Sequence, residues 1–440
     1  MNKINLDKHT PEKKRSPWAW VPSMYLAEGL PFVAVQSVSV VMYKKMGMSN
    51  TDIALYTSLL YLPWIIKPLW SPFIDLLKTK RWWIITMQLL LGAGFAGIAF
   101  SIPLPIFFQA TMAFFYLLAF SSATQDIAID GFYMLGLDTN LQSMFVGIRS
   151  TFYRIATLLG QGALVMLAGF LERLTGNNIP FAWSTTFFIL AGLFIIFSFY
   201  HRFILPRPEI DNQRALMTAR QIISEFGVTF VSFFKKPQVL AALFFMLTFR
   251  FSEAQLLKMI PLFLIDTIEK GGLGLSTEQY GLFYGTMGIV ALTLGGIIGG
   301  ICASRGGLKE WLWPMTLAML ITAATFVYLS FSQTGSLIMI NICIFIEQFG
   351  YGFGFTAYVL YLMYYSEGKY KTAHYAICTG FMALGMMLPG LFAGWIQEHL
   401  FAGSYRNFFL WVSVCSIVPI IAISLLKINP EYGRKIETKN

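Results

Sequence analysis

Long apolar stretches, separated by polar or Gly/Pro-rich breaks, dominate this chain of 440 residues. A helix needs about 20 apolar residues to cross the hydrocarbon core of a bilayer. Charged residues make up only 12% of the chain, against about a quarter in a soluble domain. These features exclude a soluble globular protein and predict an all-α integral membrane protein with twelve transmembrane helices. The predicted spans 1 to 12 cover residues 18–43, 51–74, 82–101, 104–136, 140–170, 181–201, 236–266, 277–303, 310–330, 335–365, 371–397 and 405–427.

The longest polar break divides the spans into two halves of six, the arrangement of transporters that rock about a central site. Within this break, Leu216, Ala219, Ile223 and Phe226 recur at helical spacing. We therefore expect an amphipathic helix on the inner leaflet, with an ordinary linker as the alternative. The predicted organisation is a tail (1–17), a first half (18–205), a linker (206–235), a second half (236–427) and a second tail (428–440).

The distribution of Lys and Arg predicts the orientation in the membrane. If the N-terminus is cytoplasmic, the tails and loops on that side hold 22 of the 32 basic residues and the opposite loops hold five. Basic residues accumulate on the cytoplasmic side, so both chain termini are expected there. This bias also accounts for the net charge of +10. The charge therefore does not indicate a partner among nucleic acids.

Ten ionisable residues fall inside the predicted spans, where each needs a partner or a function because burial of charge in a membrane is costly. All five acids lie on spans 1, 4, 7 and 10, the first helix of each group of three. In a transporter of four three-helix units these helices line the central cavity. The acids are therefore candidates for proton coupling within a charge network. They are Glu28, Asp126, Asp130, Glu253 and Glu347, and the bases are Lys67, Arg149, Arg154, Arg250 and Lys258.

Distances along the sequence predict how some of these charges pair. Asp126 and Arg149 lie twelve and eleven residues from the turn near residue 138, at a depth of about 17 Å, and we expect them to pair. Asp130 lies one turn below Asp126. Arg250 and Glu253, three residues apart, are also expected to pair. A static network that only holds helices together is the alternative.

The other buried charges have no evident partner in the sequence. Glu28 and Glu347 have no nearby base, so we expect them to exchange protons or to meet a polar substrate. The alternative is a buried neutral acid bonded to a neighbouring helix. Arg154 should lie towards the middle of the bilayer, and Lys258 in its outer half. The four His residues lie in tails or at helix ends, which argues against a histidine relay.

Patterns typical of a cofactor or metal site are missing from the sequence. The four Cys residues are far apart and form no C-x-x-C pattern. The Gly-rich runs lie within apolar spans, where small residues allow close helix packing. The sequence has no G-x-x-x-x-G-K-[ST] phosphate loop. We therefore expect no metal and no cofactor, with the proton gradient as energy source, and no enzyme activity. An integral-membrane transferase and a passive channel are the alternatives.

Several motifs carry a resemblance to a known family. The loop after span 8 is similar to the G-x-x-x-D-R-x-G-R-K signature of the major facilitator superfamily, through Gly300, Arg305, Gly307 and Lys309, with Ser304 in the place of the Asp and Leu308 in the place of the second Arg. KPLWSPFID (67–75) and SSATQDIAIDGF (121–132) resemble its peptide, acetyl-coenzyme A and drug transporter branch. The resemblance implies the major facilitator fold. Asp75 and Arg305 are candidates for a cytoplasmic gate between the halves.

That branch includes muropeptide permeases. The resemblance therefore implies proton-driven import of anhydro-muropeptides, or related amino-sugar and peptide fragments, across the inner membrane. The chain offers bases for carboxylates, amides for hydrogen bonds and aromatic rings for sugar faces. An exporter of drugs, peptides or siderophore-like compounds is the alternative function. We expect the protein to be a monomer. The candidate substrate-binding residues are Lys67, Gln125, Arg149, Tyr153, Arg154, Gln161, Arg250, Lys258, Gln348 and Tyr351.

Overall fold

The computed structural model describes residues 15–137, 139–207 and 219–432, and every regular element in these ranges is helical. The first half begins with a 3₁₀ turn at Pro17–Ala19. Its spans are Val21–Val33, Ala34–Val38 and Ser39–Lys45 (span 1), Asn50–Leu59 and Leu62–Leu77 (span 2), Lys80–Ser101 (span 3), Phe107–Gly136 (span 4), Thr139–Thr157, Leu158–Leu164 and Val165–Leu174 (span 5) and Ile179–Ile204 (span 6).

The second half follows a helix at Ala219–Phe234, which we call the linker helix. Its spans are Val239–Thr248 and Phe251–Ile265 (span 7), Thr277–Tyr280, Gly281–Met287 and Gly288–Gly306 (span 8), Leu308–Thr322 and Ala324–Ser332 (span 9), Leu337–Ser366 (span 10), Lys371–Trp395 and Ile396–Leu400 (span 11) and Tyr405–Cys415 and Ile417–Ser424 (span 12).

Eleven helices in the described ranges are long and apolar enough to cross a membrane, and they correspond to all the predicted spans except span 2. Span 2 consists of two helices that meet at Leu60 and Tyr61. Pro63 at the start of the second helix has no N–H to donate, which favours a break at this point. The twelve-helix count therefore stays a prediction.

The surface of the helices suits a lipid environment. Large apolar side chains point outward on both halves, for example Phe203, which is 68% exposed, and Ile338, which is 75% exposed. Side chains of this kind are well solvated by lipid tails and poorly by water. The prediction of an integral membrane protein agrees with this surface.

The loops define two ends of the molecule. We call the end near residues 47, 176, 270 and 402 the outer end, and the end near residues 78, 205, 307 and 367 the inner end. At the inner end, Arg81 Nε donates to Leu205 O (3.3 Å), and the Leu308 N–H donates to Tyr432 O (3.0 Å). Trp18 packs on Phe145 there (5.1 Å between ring centres). Both ends of the described chain thus lie at the inner end, while its cytoplasmic location stays a prediction.

The two halves share one hydrophobic core at the outer end. That core joins side chains such as Val40 and Phe115 of the first half to Leu262 and Phe408 of the second. At the inner end each half has its own core: one surrounds Phe132, and the other contains residues such as Phe245 and Tyr361. The halves are therefore packed together at the outer end and more independent at the inner end.

The linker helix packs against span 11 of the second half and also contacts the second helix of span 2 in the first half. Its Phe233 is fully buried, with ring centres 5.7 Å from Tyr365 and 6.2 Å from Phe381. Ser232 Oγ lies 2.9 Å from His374 Nε2. A helix does form in the predicted linker, although Leu216 lies outside the described residues. Its placement on the inner leaflet stays a prediction.

Candidate functional site

The structure divides nine of the ten charged residues of the predicted spans between the two halves, and their exposure ranges from 2% for Glu347 to 45% for the side chain of Asp130. One group lies on spans 1, 2, 4 and 5, and the other on spans 7 and 10. Each group contains at least one ion pair and at least one acid without a base. The first group is Glu28, Lys67, Asp126, Asp130 and Arg149, and the second is Arg250, Glu253, Lys258 and Glu347.

Arg149 pairs with Asp130, not with Asp126. Its Nη2 lies 3.1 Å from Asp130 Oδ1, which also accepts a 3.2 Å hydrogen bond from Tyr25 Oη. The guanidinium carbon is 4.7 Å from the ring centre of Tyr25 and 5.2 Å from that of Tyr133. A charge on two aromatic faces and one carboxylate is held in a defined position.

The predicted Asp126–Arg149 pair is therefore wrong, and the reason lies in side-chain direction. The Cα–Cβ bonds of a helix tilt towards its N-terminus, which is at the outer end for span 4 and at the inner end for span 5. Asp130 thus leans outward and Arg149 leans inward. The two meet although their Cα atoms lie at different depths.

Asp126 instead contacts span 2. Its Oδ2 lies 3.8 Å from Lys67 Nζ and accepts a 2.9 Å hydrogen bond from Trp64 Nε1. Trp64 in turn packs edge-on against Phe32 of span 1, with ring centres 5.1 Å apart. This arrangement ties spans 1, 2 and 4 together around one carboxylate.

Glu28 lies in the first half without a base. Its side chain is buried, and its Oε2 has no hydrogen-bond partner among the described residues. Gln125, a predicted substrate ligand, is fully buried, and its Nε2 donates to Ala27 O (2.9 Å). Gln125 therefore joins spans 4 and 1 next to Glu28.

Arg250 and Glu253 form the predicted pair in the second half. Arg250 donates to both carboxylate oxygens of Glu253, at 3.0 Å from Nε and 2.7 Å from Nη2. Nη2 also donates to Tyr351 Oη (2.6 Å). Arg250 precedes the second helix of span 7, so the break in this span presents the guanidinium to span 10. A two-pronged pair of this kind is geometrically specific.

Glu347 faces the same region without a base. It is 2% exposed, and its Oε2 accepts a 2.9 Å hydrogen bond from Gln348 Nε2, which also contacts Tyr284 Oη (3.1 Å). Together with Glu253 and Tyr351 it lines a small cavity between spans 7, 9, 10 and 12. Two carboxylates thus border one cavity, and one of them, Glu253, also pairs with Arg250.

The remaining predicted ligands are spread over the boundary between the halves. Arg154 of span 5 is exposed and lies 3.4 Å from Thr293 Oγ1 of span 8. Tyr153 and Gln161 are half-buried on span 5. Lys258 Nζ donates to Thr57 Oγ1 of span 2 (2.9 Å), and its place in the outer half of the membrane stays a prediction. None of these four side chains lines the cavity that Glu253 and Glu347 border.

An ion pair that the sequence analysis missed joins the halves at the outer end. Lys44 Nζ lies 2.6 Å from Asp266 Oδ2 and 2.7 Å from Asn50 Oδ1. Tyr405 Oη donates to the same Asp266 oxygen (2.6 Å). Lys44 and Asp266 occupy equivalent places at the ends of spans 1 and 7, and this symmetry between the halves was the available signal. We call these four residues the outer latch.

Further polar contacts reinforce the closure at the outer end. Glu172 of span 5 accepts from Thr277 of span 8 (2.8 Å) and lies 3.3 Å from Lys45. Glu398 of span 11 accepts from the backbone N–H groups of Asn50 (2.7 Å) and Thr51 (3.1 Å). A carboxylate at these N–H groups caps the first turn of span 2 across the boundary between the halves.

Spans 5 and 8 touch through glycine. Each has a π-helical segment, Leu158–Leu164 and Gly281–Met287, at the point of contact. A Cβ atom at Gly285 would lie 2.0 Å from the carbonyl oxygen of Gln161, closer than any side chain allows. Segments of this kind often occur at functional positions.

The cytoplasmic gate predicted from Asp75 and Arg305 is not tested by the structure. The side chain of Asp75 lies outside the described residues, and Arg305 is exposed at the inner end of span 8, so the proposed cytoplasmic gate stays a prediction. Within residues 15–137, 139–207 and 219–432, no group of three or more His, Cys, Asp or Glu side chains could hold a metal ion. The four Cys residues are free.

Comparison with known proteins establishes the family. A family model described as Major Facilitator Superfamily matches residues 23–394. The chain belongs to the major facilitator superfamily. The family predicted from the motifs is confirmed, and the chain is a multi-pass membrane transporter of small molecules, not an enzyme.

Named relatives within this superfamily match almost the whole chain. The chain is 26% identical over 422 residues to putative transporter AmpG 4 of Rickettsia conorii, with 92% of this chain and 95% of that protein covered. It is 24% identical over 416 residues to the anhydromuropeptide permease of Escherichia coli K12, with 93% and 79% covered. The solved nucleoside transporter NupG has a TM-score of 0.70 at 15% identity, covering 94% of this chain and 100% of that one. The last likeness shows the shared fold.

Proposed function

We propose that this major facilitator protein is a proton-coupled secondary transporter that imports anhydro-muropeptides, or related amino-sugar and peptide fragments, across the inner membrane. The relatives named AmpG and anhydromuropeptide permease support this substrate class. In this proposal the transporter works as a monomer by alternating access. The proton gradient is its energy source, and it needs no bound cofactor.

The observation that carries the proposal is the division of the five acids on the predicted spans into two kinds. Asp126, Asp130 and Glu253 each contact a base. Glu28 and Glu347 form no ion pair with any residue in the described part of the chain. An ionised carboxylate without a base is costly at membrane depth, and a neutral acid costs much less. We infer that these two acids, one in each half, bind and release the protons whose movement is coupled to substrate transport.

The packing at the outer end supports alternating access. The outer latch, the Glu172–Thr277 contact and the Glu398 cap all join one half to the other. Rocking the halves apart at this end would break these contacts and divide the shared outer core, and it would leave the inner-end core of each half intact. The conformation described is thus the one closed at the outer end, and it would open to the cytoplasm in the predicted orientation.

Uptake into proteoliposomes tests the proposal, with labelled anhydro-muropeptide as substrate, with and without an inward proton gradient and an uncoupler. The wild type should accumulate substrate only with the gradient. Glu28→Gln and Glu347→Gln should accumulate at least about tenfold less substrate than the wild type. Both variants should still exchange internal for external substrate, since exchange needs no net proton movement. Glu431→Gln, at an exposed position, is the matched control. Gradient-independent uptake by the wild type, or normal accumulation by both variants, would overturn the proposal.

A further inference from the structure

A buried lysine bridges the two halves without an acidic partner. Lys258 of span 7 is 7% exposed, and its Nζ donates to Thr57 Oγ1 of span 2 (2.9 Å). The amine also lies 5.7 Å from the ring centre of Tyr61. It forms no ion pair with any residue that the structure describes. An ammonium group has three N–H donors, and a hydroxyl is a weak partner for a full charge at this depth.

A second buried polar group lies beside it. Ser58 is fully buried, and its Oγ has no hydrogen-bond partner among the described residues. Gly390 of span 11 closes over both side chains: a Cβ atom there would lie 2.7 Å from Ser58 Oγ and 3.3 Å from Lys258 Cγ. The present conformation therefore leaves no room for a ligand between these groups. The Lys258 amine and the Ser58 hydroxyl could form further hydrogen bonds, but a ligand can reach them only when the halves separate.

Lys258, Thr57 and Ser58 lie directly beneath the outer latch. Thr57 lies seven residues after Asn50, and Lys258 lies seven residues before Ile265, so both are about 10 Å from the outer ends of their helices. Lys67, Arg149 and Arg250 already hold carboxylates. When the outer end opens, Lys258 offers an incoming ligand a base that no acid of the protein occupies.

We propose that Lys258, with the hydroxyls of Thr57 and Ser58, binds a carboxylate of the substrate in the conformation that is open at the outer end. A carboxylate would replace the single bond to Thr57 with charge-assisted hydrogen bonds, which are stronger than neutral ones. When the outer end closes and the substrate leaves, the Lys258 amine again donates its hydrogen bond to Thr57 Oγ1. This inference rests on the proposed function and narrows it, because it makes an anionic group the feature selected at the outer face.

Transport kinetics with two probes test this inference. The probes are anhydro-muropeptide and the same compound with its carboxyl groups methyl-esterified. Lys258→Met should raise KM for the acid by at least about tenfold, the effect of losing a charged hydrogen bond, and should leave KM for the ester within about twofold. Lys258→Arg should keep the preference for the acid. Thr57→Val and Ser58→Ala should raise KM for the acid by about threefold, and Lys427→Met, at an exposed position, should change neither value.

The outcomes separate this inference from the proposed function. If the wild type transports the acid and Lys258→Met leaves the acid-to-ester KM ratio unchanged, the inference fails and the function stands. If the wild type transports neither probe, both fail. Size-exclusion chromatography shows whether Lys258→Met folds. If it does not, an unchanged ratio in both Thr57→Val and Ser58→Ala overturns the inference.

Discussion

Lys44 at the end of span 1 and Asp266 at the end of span 7 form a 2.6 Å ion pair that joins the two halves of the transporter. Both side chains are largely buried, with 10% and 8% exposed. The residues take equivalent places in the two halves, so a single bond connects the first helix of one half to the first helix of the other. Any motion that opens the outer end must break it.

Removal of this pair should open the outer end. A hydrogen bond to a charged group contributes about 1.5–3 kcal/mol, so Asp266→Asn should raise the outward-open population by about tenfold or more. The measurement is the labelling rate of a single cysteine, Ser58→Cys in a cysteine-free background, by a membrane-impermeant maleimide. The nearby Glu269→Gln, at an exposed position, is the control. Equal labelling rates in the two variants would mean that the pair does not hold the outer end shut.

A methyl group at the contact between spans 5 and 8 should also disfavour closure. The Cβ atom of Gly285→Ala would clash with Gln161 O at 2.0 Å, so the halves would have to separate. We expect uptake to fall by about tenfold and labelling of Ser58→Cys to rise, since overpacking costs about 1–3 kcal/mol. The control is Gly192→Ala, where nothing lies within 4 Å of the added atom. Normal uptake by Gly285→Ala would contradict the prediction.

The partner of Arg149 can be identified by double-mutant cycles. Thermal unfolding in detergent should give a coupling of about 1–3 kcal/mol between Arg149→Met and Asp130→Asn. The cycle of Arg149→Met with Asp126→Asn should give a much smaller value, since Asp126 contacts Lys67. A larger coupling to Asp126 than to Asp130 would restore the pairing that the sequence predicts.

Glu253 should destabilise the folded protein once Arg250 is removed. Arg250→Met leaves a carboxylate buried without its base, and breaking a buried pair in this way costs about 3–5 kcal/mol. The double variant with Glu253→Gln should recover most of the lost thermal stability, because the remaining group is neutral. Arg250→Lys should be intermediate, as a lysine cannot make the two parallel bonds to Glu253. If the double variant is no more stable than Arg250→Met, the loss has another origin.

Local properties of the sequence predicted most of the architecture. The ends of the observed helices lie within a few residues of the predicted ones for most spans, because the length of an apolar stretch sets where a helix can cross a membrane. The motifs in spans 2 and 4 and in the loop after span 8 predicted the family, and a match over residues 23–394 confirms it. The pair between Arg250 and Glu253 was predictable because both lie within one turn of the same span.

Contacts between spans were harder to predict. The partner of Arg149 depends on the tilt of two antiparallel helices, which a count of residues from the turn ignores. Lys44 is one of the five basic residues of the outer loops, and the sequence gives no local sign of its ion pair because Asp266 lies 222 residues away. Thr57 and Ser58 are ordinary hydroxyl residues in the sequence and gain significance only from the lysine and glycine packed against them.

The sequence by itself determined that the chain is an all-helical membrane transporter, and it placed the acids on four of the predicted spans. The tertiary structure decided which acids have bases, which residues close the outer end and which lysine is left without an acid. The physical reason is that hydrophobicity and charge bias act on each segment separately. Ion pairs and close packing depend instead on distances of a few ångströms between segments that are far apart in the chain.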